Sequence, residues 1–134
     1  MKPPDDSNPA SPDKWLTRAE SNFHRAKINR EEILLEDLCF DAQQAAEKSI
    51  KAVYIYYNLD FPYTHNLNLL LNKLDSHGIN IPDKIQDAVV LSDYAVTTRY
   101  PGPHESVTKT EYQQAVKHAK NVLDWATDII QPQD

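Results

Sequence analysis

Residues 36–58 read EDLCFDAQQAAEKSIKAVYIYYN. Apolar and small side chains recur in this stretch three and four positions apart, which is the spacing of one face of an α-helix. They are Leu38, Ala42, Ala45, Ala46, Ser49, Ile50, Val53 and Tyr57. We therefore predict a helix over about residues 36–58, ended by Phe61-Pro62 because proline disfavours helical backbone in the residue before it. Asp41 and Glu47 are predicted to be surface or interface charges on this helix.

Helical patterns also precede and follow this stretch. Ser11 and Pro12 have the residue types of a helix N-cap and first turn, and an apolar stripe follows at helical spacing. That stripe consists of Trp15, Ala19, Phe23 and Ala26. A short leucine-rich helix is predicted over about residues 66–76, with Asn66 as its cap and Gly78 as its left-handed end. His65 is predicted to be a structural residue, hydrogen-bonded near this cap.

Two more helices are predicted in the second half of the chain. One begins at Pro82-Asp83 and ends near Ala95. The other begins at Thr108-Lys109-Thr110-Glu111, which has the sequence of a capping box, and ends near Ile130. The sequence thus predicts one all-α domain, an up-and-down bundle of about five helices over residues 13–130. Residues 1–12, which are polar and proline-rich, and residues 131–134 are predicted to be tails.

Composition limits the classes of function. The 134 residues contain 14 Lys and Arg and 20 Asp and Glu, for a net charge of −6, which excludes bulk electrostatic attraction as the main route to nucleic acid. Basic residues are concentrated in the first predicted helix, where Lys14, Arg18 and Arg25 share a face; a solvated surface is the ordinary interpretation and an anion-facing surface the functional one. With no apolar run of membrane-spanning length, no signal peptide and the single cysteine Cys39, we expect a cytoplasmic protein without a membrane partner. Cys39 is expected to be a small core residue.

The connection at residues 97–107, TTRYPGPHESV, carries the best candidate site. Pro101 and Pro103 restrict its backbone, so the side chains between and beside them are expected to be held in place. His104 has an imidazole that can accept and donate a proton near neutral pH, and Arg99 has a guanidinium that can stabilise a developing oxyanion or phosphorane. These two groups are sufficient for metal-independent RNA cleavage. Glycine-rich phosphate loops and zinc-binding histidine pairs are absent from the sequence, and no cofactor or metal is expected.

Four segments of the sequence resemble motifs of the HEPN family (higher eukaryotes and prokaryotes nucleotide-binding), and they occur in the same order along the chain as in that family. Residues 40–52 resemble its "QQAAEKALKA" helix, His65-Asn66-Leu67 its "HDL" element, and residues 98–102 its "TRYP" loop, while Trp15 and the residues after it resemble its first helix. The resemblance covers about residues 13–130. It implies a helical homodimer with a frequent partner, a minimal nucleotidyltransferase.

In many members of that family the two proteins form a toxin–antitoxin system, and the HEPN protein is an RNase. Carried over by position, the catalytic residues are Arg99 and His104, which meet the second pair across the dimer. Arg99 and Tyr100, the latter standing where active family members usually have a polar residue, are the candidate contacts for the substrate or anion. The substrate is then RNA, either tRNA or mRNA, and the antitoxin is the nucleotidyltransferase. Ser106 stands where some toxin members carry the tyrosine that the partner adenylates. Two alternatives stay open: a non-catalytic subunit that binds the nucleotidyltransferase and a nucleotide or RNA, and a purely structural dimer.

Overall fold

The structure, a computed structural model, describes residues 11–95 and 106–132, and the regular secondary structure in these ranges is all helical. Five α-helices and one 3₁₀ helix lie within these two ranges. They are α1 (Pro12–Ala26), α2 (Leu35–Tyr56), α3 (Leu67–Ser76), α4 (Asp83–Gln86), the 3₁₀ helix Asp87–Ala95 and α5 (Lys109–Ile130). The all-α fold predicted from the sequence is confirmed.

Side-chain caps fix the helix starts that the sequence indicates. Ser11 Oγ accepts the backbone N–H of the first turn of α1 at 3.2 Å, and Asn66 Oδ1 accepts two N–H groups of α3 at 2.9 and 3.3 Å. At α5, Thr108 Oγ1 accepts the N–H of Glu111 at 3.1 Å while the Glu111 carboxylate accepts that of Thr108 at 2.9 Å. Gly78 has φ +85°, the left-handed conformation expected after α3.

Helix α2 occupies the centre of the core, with α1 and α5 packed most extensively against it. Its alanines are fully buried and allow these neighbours to approach closely. Two buried tyrosines then connect the helices by hydrogen bonds to main-chain carbonyls: Tyr54 Oη donates to Leu70 O at 2.5 Å, and Tyr112 Oη donates to Ala26 O at 2.6 Å. The second bond places the start of α5 beside the end of α1.

The opposite end of the bundle is closed by the outer ends of the first and last helices. Gln131 Nε2, one residue beyond α5, donates to Asp13 Oδ1 in the first turn of α1 at 2.6 Å. The beginning of α1 and the end of α5 are therefore adjacent. Within the described ranges, no helix combines the length and apolarity required to cross a bilayer.

The prediction of a single helix from residue 82 to residue 95 is wrong. The chain forms one short α-helical turn, α4, and then continues as a 3₁₀ helix. Ile85, Ala88 and Leu91 are all fully buried and stand three residues apart, which matches a helix with three residues per turn. Ser92 on this helix accepts the N–H of Leu67 at 2.9 Å and holds the 3₁₀ helix against α3.

The prediction that Asp41 and Glu47 are surface or interface charges is also wrong, since they are 5% and 4% exposed in this chain. Both buried carboxylates have hydrogen-bond partners. That of Asp41 is on α1, and those of Glu47 are on α2 itself and in the chain before α3. Tyr57, which the helical spacing assigns to the inner face of α2, instead follows the end of the helix and is 43% exposed.

Candidate functional site

The site residues expected from the sequence, Arg99, Tyr100 and His104, lie outside the described residues. The chain on both sides of residues 96–105 is described, and it shows how the connection is attached to the bundle. The 3₁₀ helix leads into it at Ala95, and Ser106 and Val107 lead out of it into α5.

The outgoing end of the connection is bonded to α2. Val107 is 9% exposed, and its N–H donates to Glu36 Oε1, in the first turn of α2, at 3.0 Å. Thr108 follows immediately with the capping box of α5. Two carboxylates, those of Glu36 and Glu111, thus accept consecutive backbone N–H groups, and the path into α5 is fixed by main-chain hydrogen bonds.

The incoming end lies against the same helix one turn further along. The Tyr94 hydroxyl interacts with the thiol of Cys39 on α2. Burial, reinforced by the negative charges of Glu111 and Glu36, raises the pKa of the Cys39 thiol to about 12. Cys39 is fully buried and protonated at neutral pH, in agreement with the core role predicted for it.

A groove of about 260 Å³ lies beside the incoming end, between the 3₁₀ helix and α5. Tyr94, Glu111 and His118 are among its lining residues. His118 Nδ1 is buried and has no hydrogen-bond partner among the described residues. Burial lowers the pKa of His118, with the charge of Lys117 acting in the same direction and that of Asp87 opposing both. The imidazole is therefore neutral at physiological pH.

A polar cluster connects α1 to α2 on another side of the bundle. Asn22 is 7% exposed and stands at its centre. Its Nδ2 donates to Asp41 Oδ1 at 3.0 Å, and its Oδ1 accepts from Lys48 Nζ at 2.7 Å. Arg25 places a guanidinium nitrogen 3.6 Å from the same Asp41 oxygen, with 66% of its side chain exposed. Asp41 thus orients Asn22, and Asn22 in turn orients the ammonium group of Lys48.

A second cluster attaches the chain before α3 to α2. Glu47 Oε1 accepts from Gln43 Nε2 at 3.0 Å and lies 2.8 Å from His65 Nδ1, while Oε2 accepts from Lys51 Nζ at 2.9 Å. Gln43 also donates to the His65 carbonyl at 3.3 Å. Burial alone raises the pKa of Glu47, but the hydrogen bonds from Gln43, Lys51 and His65 and the charge of Lys51 outweigh it and hold that pKa below its usual value.

Sequence reasoning placed His65 near the α3 cap and expected it to be hydrogen-bonded, which the structure confirms, but it missed the partner. The sequence does contain a signal for that partner. Gln43, Glu47 and Lys51 lie four residues apart, so they form one polar row along a buried helix. Among the residues that the structure describes, no three His, Cys, Asp or Glu side chains are grouped so that they could hold a metal ion.

Comparison with known proteins agrees with this architecture. The model of the HEPN domain matches residues 12–130, which is nearly all of the helical chain. The chain belongs to the HEPN domain family. The family resemblance inferred from the sequence motifs is therefore confirmed.

Individual relatives match over most of their length. A protein of Methanocaldococcus jannaschii named "Putative toxin MJ1304" is 26% identical over 130 residues, covering 87% of this chain and 86% of that protein. The crystal structure of TT1696 from Thermus thermophilus is 26% identical and superimposes with a TM-score of 0.75, covering 87% of this chain and 96% of that one.

Two more crystal structures share the HEPN fold. ST0689, described as an archaeal HEPN homologue, has a TM-score of 0.72 at 22% identity, covering 90% of this chain and 98% of its own. A HEPN domain protein from Thermotoga maritima has a TM-score of 0.70 at 21% identity, covering 90% of this chain and 99% of its own.

Proposed function

We propose that this HEPN chain is a metal-independent endoribonuclease and the toxin of a toxin–antitoxin pair, with a minimal nucleotidyltransferase as antitoxin. Membership of the HEPN family and similarity to the protein named "Putative toxin MJ1304" support the toxin class. Arg99 and His104 are the proposed catalytic residues, Tyr100 contacts the substrate beside Arg99, and two chains combine their pairs in a homodimer.

The proposed chemistry is cleavage of a phosphodiester by its own 2′-hydroxyl. His104 of one chain removes the 2′-proton as the oxygen attacks phosphorus, and the second His104 donates a proton to the departing 5′-oxygen. The products are a 2′,3′-cyclic phosphate and a 5′-hydroxyl. Arg99 donates paired hydrogen bonds to the phosphorane oxygens, where negative charge develops.

One structural observation supports this assignment: both ends of the Arg99–His104 connection contact α2. The Val107 N–H donates to Glu36 at 3.0 Å, and the Tyr94 hydroxyl interacts with the Cys39 thiol. Cys39 and Glu36 are three residues apart and so lie on one side of α2, which is the most buried helix of the core. A connection attached at both ends to one buried helix can hold catalytic side chains in a fixed geometry. Catalytic loops need a rigid scaffold to position their residues.

The test is induction of the chain in a bacterial host without the partner gene, following growth and the integrity of total RNA. We expect growth arrest with RNA cleavage for the wild type, loss of both for His104→Ala and for Arg99→Ala, and retention of both for the control His24→Ala. His24 is an exposed histidine of α1, outside the connection. Cleavage that survives in His104→Ala contradicts the catalytic assignment.

A second candidate is a non-catalytic HEPN subunit that binds the nucleotidyltransferase and a nucleotide or RNA. The net charge of −6 favours it, since RNases usually present more basic surface. Soluble expression of the wild type without growth arrest or RNA cleavage, together with co-purification of the nucleotidyltransferase, is the result expected for this candidate.

A further inference from the structure

The cluster around Asn22 brings three cations together on an otherwise acidic chain. Arg18 and Arg25 stand four residues before and three residues after Asn22, so all three share one face of α1. Lys48 reaches this face from α2 and donates to Asn22 Oδ1 at 2.7 Å. Its ammonium group is thereby held at Asn22, whose position on α1 lies between those of the two arginines. We call Arg18, Arg25 and Lys48 the cation stripe.

The nearby carboxylates compensate only part of this charge. Asp41 lies against Arg25 and Asn22, and it is 5% exposed. Glu47 is nearby on α2, but its oxygens are engaged by Lys51 and His65. Glu20, the remaining carboxylate of α1 beyond its first turn, is two residues from Arg18 and so faces another direction.

The electrostatics of Lys48 agree with this geometry. Burial is the main cause that lowers the pKa of Lys48, and the charge of Arg18 is the next, with Arg25 contributing in the same direction. Glu47 and Asp41 act the opposite way without cancelling them. An anion that binds among cations that repel one another lowers the electrostatic energy of the cluster.

The stripe begins at the end of the bundle to which the 96–105 connection is attached. Arg25 precedes Ala26, whose carbonyl accepts the Tyr112 hydroxyl from the first turn of α5 at 2.6 Å. From Arg25 the stripe follows α1 past Asn22 to Arg18, about 10 Å further at 1.5 Å per residue. It is a linear track of positive charge that starts beside the first turn of α5.

We propose that Arg18, Arg25 and Lys48 bind consecutive phosphates of an RNA strand. The inference rests on the proposed function for the identity of the strand as RNA, while the phosphate track follows from the stripe itself. Phosphate contacts position a strand without reading its bases, so the track gives affinity that does not depend on sequence. An RNA that must approach a chain of net charge −6 needs such a local cationic path.

The experiment measures binding of a fluorescently labelled single-stranded RNA to the full chain carrying His104→Ala, as a function of salt concentration. The test variant adds Arg18→Gln and Lys48→Gln. The control adds Lys84→Gln and Lys120→Gln, two exposed lysines of α4 and α5 that change the net charge equally. Arg18→Gln alone, at an exposed position of α1, is a second test that spares the buried contacts of Lys48.

We expect the test variant to bind RNA about tenfold more weakly, and equally so for RNAs of different sequence. The slope of log K against log salt should decrease by about 1.4, since each phosphate contact on a single strand contributes about 0.7. The control should retain most of its affinity. Equal losses in the test and control variants overturn the proposal. So does a stripe variant that binds RNA normally but loses an acidic protein partner, because the stripe is then a protein-docking face.

Cleavage by chains that retain His104 separates this inference from the proposed function. If the stripe carries RNA binding but the wild-type chain never cleaves RNA, the phosphate track stands and the ribonuclease assignment fails. If the wild type cleaves RNA and the Arg18→Gln/Lys48→Gln variant binds and cleaves equally well, the ribonuclease assignment stands and the track is wrong.

Discussion

The carboxylate of Glu47 and the ammonium group of Lys51 lie 2.9 Å apart, with 5% and 10% of their side chains exposed. They are four residues apart on the most buried helix of the bundle. Lys120 and Asp124 on α5 form a pair with the same spacing and the same distance, but their side chains are 61% and 58% exposed. The chain therefore contains a buried and an exposed version of one ion pair.

Glu47→Gln should destabilise the chain far more than Asp124→Asn does. Removing the charge of Glu47 leaves Lys51 buried without a counter-ion, which costs about 3–5 kcal/mol in comparable sites. The exposed pair should be worth less than about 1 kcal/mol. Urea unfolding of both variants measures the difference. Equal losses of unfolding free energy would show that the buried pair contributes no more than the exposed one.

The stability contributed by Glu47 should depend on pH. Because the pKa of Glu47 in the folded chain lies below its ordinary value of 4.5, the contribution is present above that pH and disappears as the pH falls through the folded value. The difference in unfolding free energy between the wild type and Glu47→Gln should therefore shrink when urea titrations are moved from neutral pH to well below 4.5. A difference that stays constant over this range would contradict the assigned pKa direction.

Thr108→Ala should remove the cap where the 96–105 connection enters α5. The N–H of Glu111 loses its acceptor, and the expected cost is about 1 kcal/mol. Thr110→Ala is the matched control: Thr110 is exposed in the same turn, and the change should stay within about 0.5 kcal/mol. Thermal or urea unfolding compares the two, and indistinguishable stabilities would argue against the capping box.

Cys39 should resist thiol reagents as long as the chain is folded. It is fully buried, and its pKa of about 12 leaves almost no thiolate at mildly alkaline pH. We expect labelling by a chromogenic disulfide reagent to occur only as fast as the chain opens, and to become immediate in denaturant. Rapid stoichiometric labelling of the native chain would contradict this assignment.

Dimerisation, which the family resemblance implies, also stays a prediction. A site that combines the Arg99–His104 pairs of two chains requires a dimer at working concentration. Light scattering at micromolar protein should give twice the mass of one chain. The mass of a single chain under these conditions would contradict the dimer and, with it, the shared site.

Features that depend on neighbours in sequence were predictable here. The caps at Ser11, Asn66 and Thr108 and the left-handed Gly78 follow from the preferences of single residues for helix ends. The inner faces of α1, α2 and α5 follow from 3.6-residue periodicity, which needs no knowledge of the partner helix. These local signals were sufficient for the fold class.

Features that depend on distant partners were not predictable. The burial of Asp41 requires Asn22, nineteen residues away along the chain, and that of Glu47 requires His65, eighteen residues away. A periodic pattern assigns such charges to the surface, because it contains no information about the residues that will satisfy them. The 3₁₀ helix was missed for a related reason. Its buried residues fit the inner face of an α-helix almost as well as a spacing of three, and contacts with α3 select the tighter winding.

The hydrogen bond between Asp13 and Gln131 has a consequence for engineering the chain. It places the beginning of the first helix beside the end of the last helix. From this junction α5 extends about 33 Å to the capping box. A short linker across this junction should permit circular permutation, with new ends opened in the turn between α1 and α2. A reporter or affinity module fused at this junction would lie a full helix length away from Thr108 but only about 10 Å from Arg18, so RNA-binding assays should use the untagged chain.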